Sequence, residues 1–147
     1  LNRQHPRDLF DIKYLLEQEG ISEKIRQAFV IYLASNPRPM HELLMPNLLN
    51  VEHLYQKEFK FMTKETVELT DLLHARDELI KKINASLTEQ EKSFLISIKS
   101  GEPEYHLMPF QNLEKLPAIQ WKLINIRQME KKKHQMMLKK LQEVLEK

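Results

Sequence analysis

Cysteine is absent from this chain, which excludes disulfides, thiolate catalysis and cysteine-based zinc sites. A chain without disulfides fits a reducing compartment, so the cytoplasm is the expected location. Glycine occurs only twice, at Gly20 and Gly101. That is too little for sheets joined by tight turns or for a glycine-rich phosphate loop. An excess of one charge is missing too: 23 basic against 21 acidic residues leave a formal +2, which by itself predicts no nucleic-acid binding. No apolar run approaches the ~20 residues that span a bilayer, and no signal-peptide pattern is present, so no membrane is expected. A starting methionine is lacking as well. The chain opens at Leu1, close to where a helix should begin, and reads as a piece with further sequence upstream.

What is present is helical periodicity. With 41% hydrophobic and 30% charged residues over 147 positions, residues 1–147 suit one globular domain with a core. Arg7–Gln18 is apolar on nearly every side, so it should pack into something larger, and Gly20 suits a left-handed C-terminal cap. A second helix is expected over about Ser22–Ser35, ended by Pro37 and Pro39. His41–Met45 can make only a short helix before Pro46. A third long helix is expected from about Lys64 to Ala85. Thr88 and Glu91 have capping-box spacing and should open the next, which ends near Gly101. Pro103, Pro109 and Pro117 mark Glu102–Pro117 as a structured loop. After Pro117 one long helix is expected to reach the C-terminus. Its stripe of Ile119, Leu123, Ile126, Met137, Leu141 and Val144 falls within about 40° on a helical wheel, interrupted by Glu130. The fold expected is all-α: an antiparallel helical bundle of about five or six helices with a long C-terminal helix.

Few patterns carry chemistry. His41-Glu42-Leu43-Leu44-Met45 begins like a zinc-protease helix, but Met45 stands where the second histidine must be, and one imidazole cannot grip the metal. His5, His53, His74, His106 and His134 show no ligand spacing, so no metal site is expected. Arg76 lies among Leu69, Leu72, Leu73, Ile80 and Ile83. A guanidinium there needs a carboxylate or several carbonyls, because an unpaired buried charge is costly. It suits a structural ion pair, a snorkelling side chain, or a phosphate or partner contact. Lys131, Lys132, Lys133 and His134, with Arg127, Lys139 and Lys140, form a basic stretch that suits a solvated face or RNA phosphates. The sharpest pattern is Arg7-Asp8-Leu9-Phe10-Asp11. Asp8 and Asp11, three apart, share a helix face, and Arg7 is four from Asp11. Two acids on an otherwise apolar helix are costly unless paired or functional. Capping plus an Arg7–Asp11 pair, or an active-site role, both fit this spacing. Helix geometry favours Asp8 for a cleft and Asp11 for Arg7.

Arg3-Gln4-His5-Pro6-Arg7-Asp8-Leu9-Phe10-Asp11-Ile12-Lys13 resembles the last motif, R-D-x-x-D, of the AbiEii-type nucleotidyltransferase toxins of bacterial abortive-infection systems. The likeness continues through Gly20-Ile21, Arg38-Pro39-Met40-His41-Glu42-Leu43-Leu44 and Leu116-Pro117-Ala118-Ile119-Gln120-Trp121-Lys122-Leu123-Ile124-Asn125-Ile126. R-D-x-x-D alone is weak; together with the other segments it is fairly specific. The resemblance implies a phage-defence transferase of polymerase-β-like ancestry in a type IV toxin–antitoxin pair. It implies Mg²⁺ and an NTP as cofactor and substrate, tRNA as an acceptor in some relatives, and an antitoxin protein as a counterpart. Arg7, Asp8 and Asp11 are the functional positions that carry over. The family's Gly-Ser/Thr…Asp-x-Asp motif has no match, since the chain contains neither Asp-x-Asp nor Gly-Gly. The resemblance therefore implies a C-terminal helical domain whose catalytic N-terminal nucleotidyltransferase domain lies upstream, leaving this chain inactive alone. The alternative is a non-enzymatic helical interaction module that binds an antitoxin or RNA.

Overall fold

The computed structural model describes residues 3–61 and 66–146, and among them every regular element is helical. Helix α1 is Pro6–Gln18, α2 Glu23–Ser35, α3 Met40–Leu44 and α4 Glu52–Leu54, the last running into a π turn, Tyr55–Phe59. After these come α5 at Leu69–Ser86, α6 at Glu89–Ser100, α7 at Pro117–Arg127 and α8 at Lys131–Glu146. The all-α expectation holds.

Local chemistry explains the boundaries. The Ser22 hydroxyl accepts from the Ile25 amide and starts α2. Thr88 and Glu91 form the reciprocal capping box at the head of α6. At the tail of α6, Gly101 takes φ 87°, and the Glu102 and Gly101 amides close back on the Ser97 and Ile98 carbonyls. That left-handed cap suits the residue without a Cβ. Gly20 does the same after α1, at φ 71°.

Three expectations are corrected. The expected start of the third long helix at Lys64 lies outside the described residues, and Thr66, Val67 and Glu68 are not helical, so α5 begins at Leu69. Residues 52–59, not expected to be helical, coil as α4 and the π turn. Tyr55 and Phe59, four apart, share one inward face, both buried, with ring centroids 5.8 Å apart. Finally, the long helix after Pro117 is two helices, broken between Arg127 and Lys131. Both halves of its apolar stripe face inward, from Ile119, Leu123 and Ile126 on α7 to Leu141 on α8. A continuous helix would have carried Glu130 along that buried line; the break leaves Glu130 exposed and turns α8 back over α6 and α3. Burying the carboxylate would have cost more than the lost helical bonds.

Two apolar clusters result. The larger joins α2, α3, α6, α7 and α8 around Leu33, Phe94, Ile98, Ile119 and Leu141. The smaller joins α1, the α4–π segment and α5 around Leu9, Tyr55, Phe59 and Leu72. Helix α5 spans both, with Leu72 in the smaller cluster and Ile83 against the larger. Its 18 residues give a rod of about 27 Å that carries the α1 unit on the rest of the fold. No helix among the described residues is long and apolar enough to cross a membrane.

An Arg26–Glu91 pair, half-buried on the arginine side, ties α2 to α6. Arg26 Nε donates to both carboxylate oxygens, at 2.9 and 3.0 Å, and Glu91 is buried.

Candidate functional site

The acidic motif sits at the head of α1, where a network of side chains fixes how the chain enters the helix. Pro6 occupies the first helical turn, where a missing N–H costs nothing. His5 caps it: Nδ1 accepts from the Arg7 amide at 3.1 Å, and Nε2 lies 2.9 Å from Glu58 Oε2 on the π turn. Since Nδ1 accepts, the ring proton is on Nε2 and is donated to Glu58, so this histidine clamps α1 to the neighbouring segment. Glu58's carboxyl is held below the usual range, first by that hydrogen bond.

Gln4, at φ 50°, is buried. Its amide donates to the Asn47 carbonyl at 2.7 Å, while its oxygen accepts from the Leu49 amide and from Arg76, both at 3.0 Å. Arg76 donates a further bond to the Leu49 carbonyl at 2.8 Å. The buried guanidinium is thus held by an amide and a carbonyl rather than by a buried carboxylate. Asp77, whose Oδ1 is 4.0 Å from Arg76 Nε, is an exposed side chain. Arg76 Nε itself is enclosed and makes no hydrogen bond among the described residues. Replacing Arg76 with methionine is therefore expected to cost only about 1–2 kcal/mol, the value of neutral acceptors losing a donor. The ~3–5 kcal/mol that follows from stranding a buried acid is not expected. A denaturant midpoint measurement separates the two.

Arg3 reaches around the cap to Asp8. Its fork makes two bonds to the carboxylate, Nε to Oδ2 at 3.0 Å and NH2 to Oδ1 at 2.6 Å. Asp8's carboxyl is pulled below its ordinary range, chiefly by the Arg3 hydrogen bond and against the opposing effect of burial. Arg7 and Asp11 are both exposed, and the i,i+4 pair expected between them does not form. Among the described residues Asp8 is the paired acid, held by Arg3, and Asp11 makes no ion pair. Asp8, Asp11 and Arg7 are brought to one end of α1, while Arg76 is joined to that end only through Gln4.

Among the described residues no group of three His, Asp or Glu side chains stands close enough to hold an ion. His41 is on α3, half-buried, with Nδ1 unpartnered. Asp8 is already occupied by a guanidinium, so these residues by themselves do not fit a Mg²⁺ site. A cavity of about 550 Å³ lies between α1, α2, α3 and α5 and is lined by Ile12, Phe29, Tyr32, Leu43 and Ile83 among others; neither Asp8 nor Asp11 lines it.

Sequence reasoning missed Arg3, His5 and Lys122 as individuals. Lys122 is buried on α7 and donates to three carbonyls at the end of α2: Leu33 at 3.2 Å, Asn36 at 2.6 Å and Arg38 at 3.0 Å. It serves as a C-terminal cap delivered from another helix. Burial, followed by repulsion from Lys99, pushes its ammonium down to about 8 from 10.5. Between those two values the unfolded chain keeps a proton that the folded chain has lost. Stability therefore rises with pH across that window, by up to ~3 kcal/mol. Tyr55 and Tyr105, raised by burial, act oppositely above about pH 10. Urea midpoints should increase from about pH 7.5 to about pH 9.5, and the increase should shrink in Lys122→Met. A flat profile in the unaltered protein would contradict the shift.

An all-α unit whose first helix presents one clamped and one open carboxylate at its head is the class of protein defined so far. Residues 1–125 match the family described as "Nucleotidyl transferase AbiEii toxin, Type IV TA system", and the chain belongs to that family. The match takes in α1 through most of α7, including Arg7, Asp8, Asp11 and Lys122. Comparison with curated proteins and with solved structures gave no match. A toxin family of a toxin–antitoxin system has an antitoxin as its counterpart.

Proposed function

We propose that this chain is the C-terminal helical domain of a nucleotidyltransferase toxin in a phage-defence system, and that it completes an NTP-transfer site formed mainly by an upstream domain. The observation that carries this reading is the head of α1. Arg3, His5 and Gln4 fix its direction, and Asp8 and Asp11 stand on one face of it. An ion pair that merely capped the helix would not need so elaborate an anchorage.

In this reading Asp11 is the group that meets substrate, accepting a hydrogen bond from the attacking hydroxyl and so orienting it. Asp8, held by Arg3, positions that turn of the helix, and Arg7 offers a cation to a phosphate. Mg²⁺ neutralises the triphosphate when bound in such enzymes; the acids holding it would come from the upstream domain, and tRNA is the proposed acceptor. The test compares this chain alone with the same chain joined to its upstream coding sequence, using a radiolabelled NTP and tRNA. Label should enter tRNA only with the joined protein. Robust transfer by the chain alone, abolished by a substitution within it, would defeat the proposal.

A second reading, an interaction module for an antitoxin or RNA, is favoured by α7, where Trp121 and Ile124 are exposed beside one another. Trp121→Ala abolishing antitoxin neutralisation with transfer intact would select it.

A further inference from the structure

Six apolar side chains from four helices stay half-buried around the cavity between α1, α2, α3 and α5: Ile12, Phe29, Leu43, Leu79, Ile80 and Ile83. Val30, Leu33 and Leu44, on the same α2 and α3, are buried, so those helices are packed on their other faces. At about 550 Å³ the space lies within the roughly 300–1,000 Å³ that small-molecule sites occupy. Ile12 belongs to the α1 unit and Ile83 packs against the larger cluster, so an occupant would touch both apolar units.

The polar groups on the lining decide what would fill it. Asn84 Nδ2 donates to the Ile80 and Leu44 carbonyls, at 2.8 and 3.0 Å, which uses both its protons. Its Oδ1 accepts nothing among the described residues, yet it is not one of the enclosed unpaired atoms there, which are His41 Nδ1 and Arg76 Nε. That acceptor therefore meets accessible space, on a residue that lines the cavity. The Asn84–Leu44 bond also ties α5 to the end of α3, and α3 carries Glu42. Glu42 lines the cavity, is exposed, and makes no hydrogen bond or ion pair among the described residues. From α2 come the rings of Phe29 and Tyr32, with centroids 6.3 Å apart and planes at 24°; ring faces are negative. Arg38 lines the cavity as well, and is not free.

We propose that this cavity binds a small aromatic amine, a flat apolar ring carrying a short arm that ends in an ammonium. The ring suits walls made of aliphatic side chains from α1, α3 and α5 and of two aromatic rings from α2, and its burial would cover the six half-buried side chains. The ammonium suits the polar groups left over, because Asn84 Oδ1 and the Glu42 carboxylate can only accept hydrogen bonds. The faces of Phe29 and Tyr32 attract a cation as well. The site is separate from Asp8 and Asp11, and the proposal does not depend on the nucleotidyl-transfer reading.

The experiment uses the whole chain and three probes of one shape: tryptamine, 3-propylindole and indole-3-propionate, which end the same two-carbon arm in an ammonium, a methyl and a carboxylate. Calorimetry gives the affinities, and the Phe29 and Tyr32 ring resonances report where the probe sits. Tryptamine should bind about tenfold or more tighter than the other two. Glu42→Gln should remove that advantage, while Glu102→Gln, an exposed carboxylate off the cavity, should keep it. Leu79→Trp, which adds bulk to the lining, should weaken all three probes. Since Glu42 is exposed, its variant keeps the test open should Leu79→Trp fold poorly. No binding of any probe would overturn the proposal. So would tryptamine binding that survives Glu42→Gln or a folded Leu79→Trp, or that falls equally in Glu102→Gln, which would mark diffuse attraction. Equal affinity for 3-propylindole would remove the amine from the proposal, and tightest binding of indole-3-propionate would give the site to Arg38 and an acid; either result overturns it.

Discussion

Asparagine in place of Asp11, in protein that carries the upstream domain, is expected to reduce nucleotidyl transfer by about 10²-fold or more while leaving the melting temperature almost unmoved. On the function proposed above, the substitution removes a charge beside the reacting groups, which typically costs on the order of 10²–10³ in rate. The absence of a stability effect follows from the structure, because Asp11 is exposed and makes no ion pair among the described residues. Asp8→Asn is the informative companion. It loses the Arg3 fork, but Asp8's side chain is 31% and Arg3's 67% exposed, so the stability cost should stay under ~1 kcal/mol. That corresponds to about 2–4 °C for a chain of this size. Transfer rates and melting curves measured side by side decide the matter. Full activity in both variants would reduce the motif to a helix cap and a surface pair. Activity that falls only in step with stability would leave it a structural element.

Glu91→Ala should have the largest effect on stability of any single substitution considered, about 3–5 kcal/mol. Two losses combine. Arg26 is left without the carboxylate that receives both its bonds, and the Thr88 amide loses its capping partner at the start of α6. Breaking such a pair from one side is the costly way to remove it, because the remaining Arg26 charge stays mostly out of water. The double variant Arg26→Met, Glu91→Leu should recover much of the loss, since no charge is stranded and only the cap is missing. Urea titrations of the single and double variants measure this. A single variant that loses under ~1 kcal/mol would show that Arg26 escapes to solvent, as a partly exposed arginine does by snorkelling.

How much of this was legible beforehand depended on distance along the chain. The Thr88–Glu91 box, the Gly20 and Gly101 caps and the stop at Pro37 are written within a few residues and read correctly. So is the inward line of Ile119, Leu123 and Ile126. The failure at residues 128–130 had its cue in the same pattern, since Glu130 interrupted the stripe, but a wheel cannot say whether a chain breaks or tolerates one buried acid. At the π turn, Tyr55 and Phe59 are four apart and fall within about 40° on a wheel, but one such pair is too short a pattern to mark a helix. At the motif, spacing suggested Arg7 for Asp11. The pair that forms is Arg3 with Asp8, five apart, because Arg3 precedes the helix and obeys no helical period.

The sequence by itself determined that the protein is helical, where most helices start and stop, and which α1 residues deserved attention. Those properties follow from periodicity, capping and the scarcity of glycine, all of them local. The tertiary structure alone decided which charges are satisfied and by what. Gln4 meets Arg76 across 72 positions, Arg26 meets Glu91 across 65, and Lys122 reaches Leu33 across 89. It also decided that Lys99 is buried with no hydrogen bond or ion pair for its ammonium among the described residues. Burial and hydrogen bonding set the state of an ionisable group far more strongly than its chain neighbours do. For these residues both depend on helices that meet only once the chain has folded.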